Sequence, residues 1–467
     1  MLGASVFAGF PASLLFQAAG QSRPLAWPEL LLCAVAGLLA ATLTGVCLAP
    51  ALAHRVTVVL RRLTAPSLAL ALALGVALRL LLQVLIAPAP ASDGAAYLEL
   101  AQGLLARGEF GNDLVRAYWP PGMAFALAPL LGIAAPAVAL GLYTLGCFVL
   151  TALGLYRLGR SLGLGVQAAW PVLLLALWPT HALLSGLPEK ELLVIALLPW
   201  VIWAAREAAQ PAGAAARPRW ALGMLAGVLL GAIVLIQPSF QLLPPFAAVL
   251  ALLAGQTLRR VLPVLVMVVL GSAVVVAPWT LRNLAVLGEP VLVSTNGGGN
   301  LYRANNELAT GGFVAVGRID VEALPELEAN REGKRLAVEW IRSHPLDFAQ
   351  LTVGRVLLFP GDHSYGAYAA FRADPERVPR PLYLALKAGT AATWLVLWAL
   401  LIGVAWRHWR LRTPLPPGTG WLLVPWVYLA GIHAFFESGS KYHLPTLALV
   451  LLLLVLLLAP TSMRRPP

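Results

Sequence analysis

The chain is short of charge. Of its 467 residues only 12% are Asp, Glu, Lys or Arg, about half of the ~25% found in an ordinary soluble domain. Hydrophobic residues make up 59%, and they come in Leu, Ala and Val runs of about twenty, long enough to cross ~30 Å of hydrocarbon as helices. No soluble core holds so many such runs. Cysteine is nearly absent: Cys33, Cys47 and Cys147 are the only three, each inside an apolar run, so no disulfide framework or thiolate metal spacing is available. Also missing are a P-loop, a dinucleotide fingerprint, HExxH and GxSxG, which removes support for soluble nucleotide chemistry. Residues 1–20 are apolar but lack the basic n-region of a signal peptide, and stand as either a weak first span or a surface segment.

Acidic residues are fewer than basic ones, giving a net charge of +12. The basic residues are clustered between apolar runs: Arg55, Arg61 and Arg62; Arg157 and Arg160; Arg206, Arg217 and Arg219; Arg259 and Arg260; Arg407, Arg410 and Arg412; Arg464 and Arg465. Cytoplasmic loops collect Lys and Arg in this way, so the charge reports orientation and not nucleic-acid binding. The apolar runs predict spans at 29–50, 64–87, 135–157, 166–186, 190–206, 220–238, 240–257, 261–279, 382–405, 419–436 and 444–461. The expected fold is an all-α polytopic bundle of about 11–12 transmembrane helices. It divides into an N-terminal membrane part (1–63), a transmembrane core (64–279) with a first outer loop at 88–134, an outer segment of mixed structure (280–381) and C-terminal helices (382–467).

The two outer segments hold most of the Asp, Glu, Asn and Tyr. In the first, Ser92 is placed as an N-cap, and Tyr97, Leu100, Ala101, Leu104 and Leu105 recur at helical spacing until Gly108, which predicts an amphipathic helix on the membrane surface. "YWPPGMAFALAPLLGI" then starts a short apolar helix at Pro120 and Pro121. In the second, "PWTLRNLAVLGEPVLVSTNGGGNLYRANN" reads as extended chain and turns, with "STNGGGN" as a mobile gate. A helix is expected near 326–343, and "SHPLDFAQLTVGRVLLF" returns to the membrane.

Asp93 heads the surface helix, where the dipole favours an ionised carboxylate; it serves there as a cap or as a base or metal ligand at the bilayer edge. Arg79, inside span 64–87, is a cation where a charge is costly and marks a functional site by default. Reaching outward, it would approach the level of Asp93 and bind a phosphate or orient the acid. Glu191, with Glu189 and Lys190, lies where the chain turns into span 190–206. Arg282, Asn283, Arg355, Lys441 and Tyr442 lie at outer boundaries; the cations among them stand on the wrong side for the positive-inside pattern, which points to an anionic partner. Arg303 reads as an ordinary loop residue.

Several stretches, taken in order, resemble bacterial members of the GT-C glycosyltransferases, the superfamily of protein O-mannosyltransferases and lipid A aminoarabinose transferases. They are "LRLLLQVLIAPAPASDGAAYLELAQGLLARGEF", "YWPPGMAFALAPLLGI", "LLSGLPEKELLVIALL", "APWTLRNLAVLGEPVLVSTNGGGNLYRANN", "SHPLDFAQLTVGRVLL" and "GSKYHLPTLALV". The resemblance implies a transmembrane bundle with surface helices in its first outer loop. It implies inverting transfer of a sugar from a polyprenyl-phosphate carrier to an acceptor glycan, lipid or protein on the outer, periplasmic face of a bacterial cytoplasmic membrane. On it Asp93 falls on the first-loop acid, expected to activate the acceptor as a base or to help hold a divalent cation, Mg or Mn. Glu191 falls on the acid of a "KE" turn, Lys441 and Tyr442 on an "RY" pair, and Arg282 and Asn283 on an "RN" pair. Three positions depart: Gly94 replaces a second acid, Gln237 and Pro238 replace an "RP", and Lys441 replaces Arg, losing the bidentate fork. An acid without a neighbour is a poor cage for Mg²⁺.

In the resulting expectation the donor phosphate lies near Arg79, Arg282, Arg355 or Lys441, whose charge stabilises the departing phosphate. Asp93 is the base, and Tyr97 orients the sugar. Two alternatives share this surface: an outer-face ligase or polymerase using polyprenyl-diphosphate donors, and a flippase or transporter for a lipid-linked sugar. A transporter would carry charges along a mid-bilayer path, whereas these spans hold little charge besides Arg79 and Lys387.

Overall fold

The computed structural model describes residues 2–48, 51, 55, 58, 64–86, 89–112, 115–210, 219–314, 317 and 319–459. The basic positions Arg61, Arg62, Arg217, Arg464 and Arg465 fall outside these residues. Among the described residues the chain is helix and turn without strands. Six helices are long and apolar enough to cross a membrane: Trp27–Val46, Leu68–Ile86, Pro136–Ser161, Lys190–Ala209, Leu258–Leu287 and Arg380–Arg410. The chain is an integral membrane protein.

Other apolar runs fold differently from their expected spans. Runs at 220–238, 240–257, 419–436 and 444–461 give Trp220–Ile236, Pro238–Leu253, Thr419–Ile432 and Leu444–Leu458, helices of 10–17 residues. That is shorter than the ~20 residues of a full crossing. Every residue of Leu447–Leu458 is buried, as expected of a helix apolar on all sides. It is the central post of the bundle, flanked by Pro136–Ser161, Ala169–Ala176, Lys190–Ala209, Arg380–Arg410 and Thr419–Ile432. The run at 166–186 is broken. Ala169–Ala176 stops, Trp178 turns extended, and Pro179 starts a five-residue helix, Pro179–Leu183. Pro lacks the N–H that would continue the first helix and fits the opening turn of the second.

The first outer loop holds the two expected helices, Asp93–Arg107 and Gly122–Leu131. Residues 2–18 are a helix that packs on Trp27–Leu43 and on Pro345–Gly361. The segment after 280 corrects the sequence reading. "PWTLRNLAVL" is helical, because Leu258–Leu287 runs unbroken for 30 residues through both its prolines. "GGGNLYRA" is also a helix, Gly297–Ala304, and not an extended gate. Its glycines serve a close crossing: a Cβ on Gly298 would sit 1.9 Å from the Asn330 carbonyl, and one on Gly333 would sit 2.6 Å from the Gly298 carbonyl carbon. The helix therefore lies backbone to backbone on Glu326–Ser343, and the Gly298 N–H donates to Asn330 Oδ1 at 2.9 Å.

Candidate active site

Three helix ends meet at one cavity. Asp93 follows the end of Leu68–Ile86, Lys190 begins Lys190–Ala209, and Lys441 precedes Leu444–Leu458. The cavity has a volume of 1590 Å³, and its wall includes Asp93, Glu189, Lys190, Glu191, Lys441 and Tyr442.

Asp93 is the first residue of its helix. Ser92 occupies the N-cap position, but its φ of 54° turns the backbone left-handed and its hydroxyl makes no capping bond. Such a conformation costs a non-glycine residue on the order of 1–3 kcal/mol and is concentrated at functional sites. Gly94 is buried, and a Cβ there would lie 2.9 Å from Pro188 Cγ. A second acid at this position has no room. Its absence lets the helix start close against the "LPEKE" turn, which brings Glu189, Lys190 and Glu191 to the same cavity wall as Asp93.

Lys441 Nζ stands 3.8 Å from Asp93 Oδ2. Burial pushes the Asp93 carboxyl up, but Lys441, Lys190, Arg303 and Arg372 together hold it below its ordinary value, so it is an anion at neutral pH. Arg303 thus acts on the site from the cavity wall and is not the ordinary loop residue its position in the sequence suggests. Lys441 lies over the rings of Tyr365 and Tyr442, at 5.9 and 5.6 Å. The Tyr442 hydroxyl donates to Glu437 Oε1, and its ring packs on His433 at 4.2 Å. Tyr97 is 1% exposed, packs edge-on against Trp119 at 5.4 Å and has the Lys190 ammonium 5.9 Å from its ring centre.

The resemblance singles out Glu191, yet Glu189 has the more specific setting. The Tyr365 hydroxyl donates to its Oε2 at 2.9 Å, and the Tyr143 hydroxyl fixes its carbonyl at 2.9 Å. Burial first, then Glu191 and Asp93, raise its carboxyl above the usual range, against the opposing pull of Lys441 and the Tyr365 hydrogen bond. Glu191 is 3% exposed and lines the same cavity.

Behind Lys441 and Tyr365 runs a hydrogen-bonded wire. Trp178 Nε1–H donates to His363 Nε2 at 2.7 Å. The His363 proton is therefore on Nδ1, which donates to His443 Nε2 at 2.7 Å, and His443 Nδ1–H donates to the Phe359 carbonyl at 2.6 Å. An indole N–H only donates and a carbonyl only accepts, so both tautomers are fixed. Burial lowers the basicity of both imidazoles, His443 to about 4, and each is neutral. Trp394 stacks on His363 at 4.2 Å.

Four predicted phosphate-site residues are placed elsewhere. Arg79 does not reach outward: it is 1% exposed and turns inward to the broken helix. Its Nη1 donates to Gly75 O and Ala176 O at 2.9 and 3.0 Å, and its Nη2 to Leu175 O at 3.3 Å. Nη2 also meets His181 Nδ1 at 2.9 Å, and the guanidinium lies 3.8 Å from the Phe148 ring centre. The break at Trp178–Pro179 leaves the Ala176 carbonyl without a helical partner, and Arg79 supplies its donor. Arg355, fully buried, binds the carbonyls of Ala304, Ala434 and Phe435 and Asn305 Oδ1. Arg282 binds the carbonyls of Arg116 and Phe110, both at 2.8 Å. Asn283 Nδ2 binds those of Val291 and Val293 at 2.9 and 3.2 Å. None of the four is on the cavity wall; the last two brace loops that are next to it.

The residues around Asp93 do not fit a divalent cation. Its nearest charged neighbour is an ammonium, three further cations act on it, and no group of three metal-ligating side chains occurs among the described residues.

No family model matches the sequence, and no curated protein matches it. Among solved structures the chain is similar to the oligosaccharyltransferase of Archaeoglobus fulgidus in its apo form, with a TM-score of 0.48 and 15% identity over 83% of this chain and 49% of that one. It is likewise similar to AglB from Archaeoglobus fulgidus in complex with an inhibitory peptide and a dolichol-phosphate, with a TM-score of 0.47 and 14% identity over 83% and 50%. The chain therefore spans about half the length of these archaeal oligosaccharyltransferases. It is also similar to ArnT from Cupriavidus metallidurans bound to undecaprenyl phosphate, with a TM-score of 0.39 and 15% identity over 83% and 77%.

Proposed function

We propose that the protein transfers a sugar from a polyprenyl-phosphate carrier to an acceptor hydroxyl of a glycan, lipid or protein. The reaction takes place at the end of the bundle opposite the basic loops, the periplasmic side of a bacterial cytoplasmic membrane. The observation that carries this reading is the Asp93–Lys441 pair, set at the meeting of three helix ends on a 1590 Å³ cavity. A lipid donor enters such a site from the side with its phosphate at headgroup level, where Lys441, Lys190, Arg303 and Arg372 gather.

Cations fixed beside the departing phosphate stabilise the charge that develops on it. Displacement at the anomeric carbon then inverts its configuration: the acceptor oxygen bonds to the carbon as the carbon–phosphate-oxygen bond breaks. The electron pair leaves with the phosphate, and the acceptor's proton goes to a carboxylate of the cavity wall. Asp93 is the acid around which these groups assemble and Glu191 completes the acidic turn; Tyr97, buried off the cavity wall, does not reach the sugar and packs against Lys190 instead. Of the four cations expected at the phosphate, Lys441 takes the role. No step passes through a metal.

The test is the profile of lipid-linked sugars and envelope glycans, read by mass spectrometry with and without the protein. Its loss is expected to make one polyprenyl-phosphate sugar accumulate while one glycan modification disappears. Accumulation of a polyprenyl-diphosphate oligosaccharide instead would replace this reading with that of a ligase.

A further inference from the structure

We infer that Glu189, and not Asp93, is the proton acceptor of this site, with Asp93 serving as the fixed counter-charge that holds Lys441. The inference rests on the transfer reaction proposed above and assigns one of its steps.

The two carboxylates share a wall but differ in company. Asp93 is paired with Lys441 at 3.8 Å and faces three more cations. Glu189 is the last residue before the helix Lys190–Ala209, and the structure fixes it from every side. Lys190 and Glu191 flank it on its own turn. Tyr143 holds its carbonyl from Pro136–Ser161, Tyr365 donates to Oε2 from Tyr365–Ala373, and Lys441 and Asp93 act on its charge from the same cavity. Its backbone is thus rigid, and one carboxyl oxygen is oriented by Tyr365.

The chemistry needs a base more than an acid. A departing phosphate monoester has a second pKa near 6 and leaves without a proton, whereas an acceptor hydroxyl must lose one. A general base works best when its pKa lies near the working pH. Four cations make Asp93 a weak base, while burial and two neighbouring carboxylates make Glu189 a stronger one. Two carboxyl groups whose surroundings drive their basicities apart divide roles in this manner. In the step itself the acceptor O–H bond breaks as its oxygen bonds to the anomeric carbon, and the proton bonds to Glu189. The phosphate leaves with the electrons of the broken carbon–oxygen bond.

The experiment measures transfer rate against pH in membrane vesicles that carry the protein and its native acceptors, supplied with synthetic polyprenyl-phosphate hexoses and pentoses. Because the base must be ionised and its carboxyl is raised, the wild-type rate is expected to fall as pH drops below neutrality, well above the ordinary carboxylate range. Glu189→Gln keeps the shape and is expected to lose roughly 10²–10⁴-fold in kcat, to lose the acid limb, and to keep its donor KM within a few-fold. Tyr365→Phe removes a hydrogen bond that favours the ionised form, so its limb is expected to move to higher pH, a shift no packing defect produces. A wild-type rate flat from pH 5.5 to about 8.5, far from any group of unperturbed pKa near 4, or a Glu189→Gln enzyme of near-normal rate, overturns the assignment and leaves the transfer reaction standing. Absence of transfer by the wild-type protein from every donor removes both.

Discussion

Asp93→Asn is expected to lower sugar transfer by at least about 10²-fold, the scale on which loss of a group acting in general acid–base chemistry is felt, with the folded protein still present at normal levels. The Asn side chain matches Asp in size and keeps the helix start intact, because Ser92 and Gly94, not the carboxylate, set the geometry there. What is lost is the anion among four cations. Lys441 already pulls the Glu189 carboxyl down, and without the Asp93 anion to hold it the base is weakened further. The pH profile carries the distinguishing sign. Asp93 helps to raise the Glu189 carboxyl, so its neutralisation moves the acid limb of the residual rate to lower pH. Full transfer at normal expression would remove Asp93 from the site altogether.

The second large effect is on stability. Arg79→Leu is expected to destabilise the bundle by roughly 1–3 kcal/mol, because the buried Ala176 carbonyl loses its donor. The carbonyls of Gly75 and Leu175 lose a second donor but keep a backbone N–H, and the cation–π contact with Phe148 is lost as well. Arg79→Lys should fall between, since a single ammonium cannot reach the acceptors that the planar fork spans. The measurement is thermal unfolding in detergent alongside donor binding. A fully stable Arg79→Leu protein that no longer binds polyprenyl phosphate would return Arg79 to the phosphate site.

These two residues show what the sequence makes legible. Apolar runs locate the helices well, because burying a helix in a bundle or a bilayer demands the same side chains. For that reason hydropathy does not separate a crossing helix from the fully buried post Leu447–Leu458. The surface helix after Asp93 is legible because its apolar positions repeat with the helical period. Arg79 is legible as a costly cation but not in its role, which depends on the Ala176 carbonyl, freed about a hundred residues later by the Trp178–Pro179 break. Glycine is ambiguous in the same way: "GGG" serves turns and close crossings equally, and only the approach of Glu326–Ser343 decides for the crossing.

The site follows the same division. Asp93, Glu191, Lys441 and Tyr442 line one cavity, as helix ends gathered at one end of the bundle do. Arg282, Asn283 and Arg355 do not join them, since each is consumed by backbone carbonyls of neighbouring loops. Glu189 was hidden by a spacing of two from Glu191. One is in the extended residue before the helix and the other in its first turn, and the sequence has no signal for which of them Tyr365 meets. The wire from Trp178 through His363 to His443 was equally hidden, being assembled from three distant segments.

The central claim is that Asp93 and Lys441 mark a site of sugar transfer from a polyprenyl-phosphate donor. Its most direct measurement is transfer by the purified protein in phospholipid vesicles, given synthetic polyprenyl-phosphate sugars and an envelope extract as acceptor. Sugar is expected to move onto the acceptor with release of polyprenyl phosphate in equal amount, in the presence of a metal chelator, and not with Asp93→Asn. Release of no polyprenyl phosphate from any donor, or passage of the intact donor from one leaflet to the other without cleavage, would contradict it.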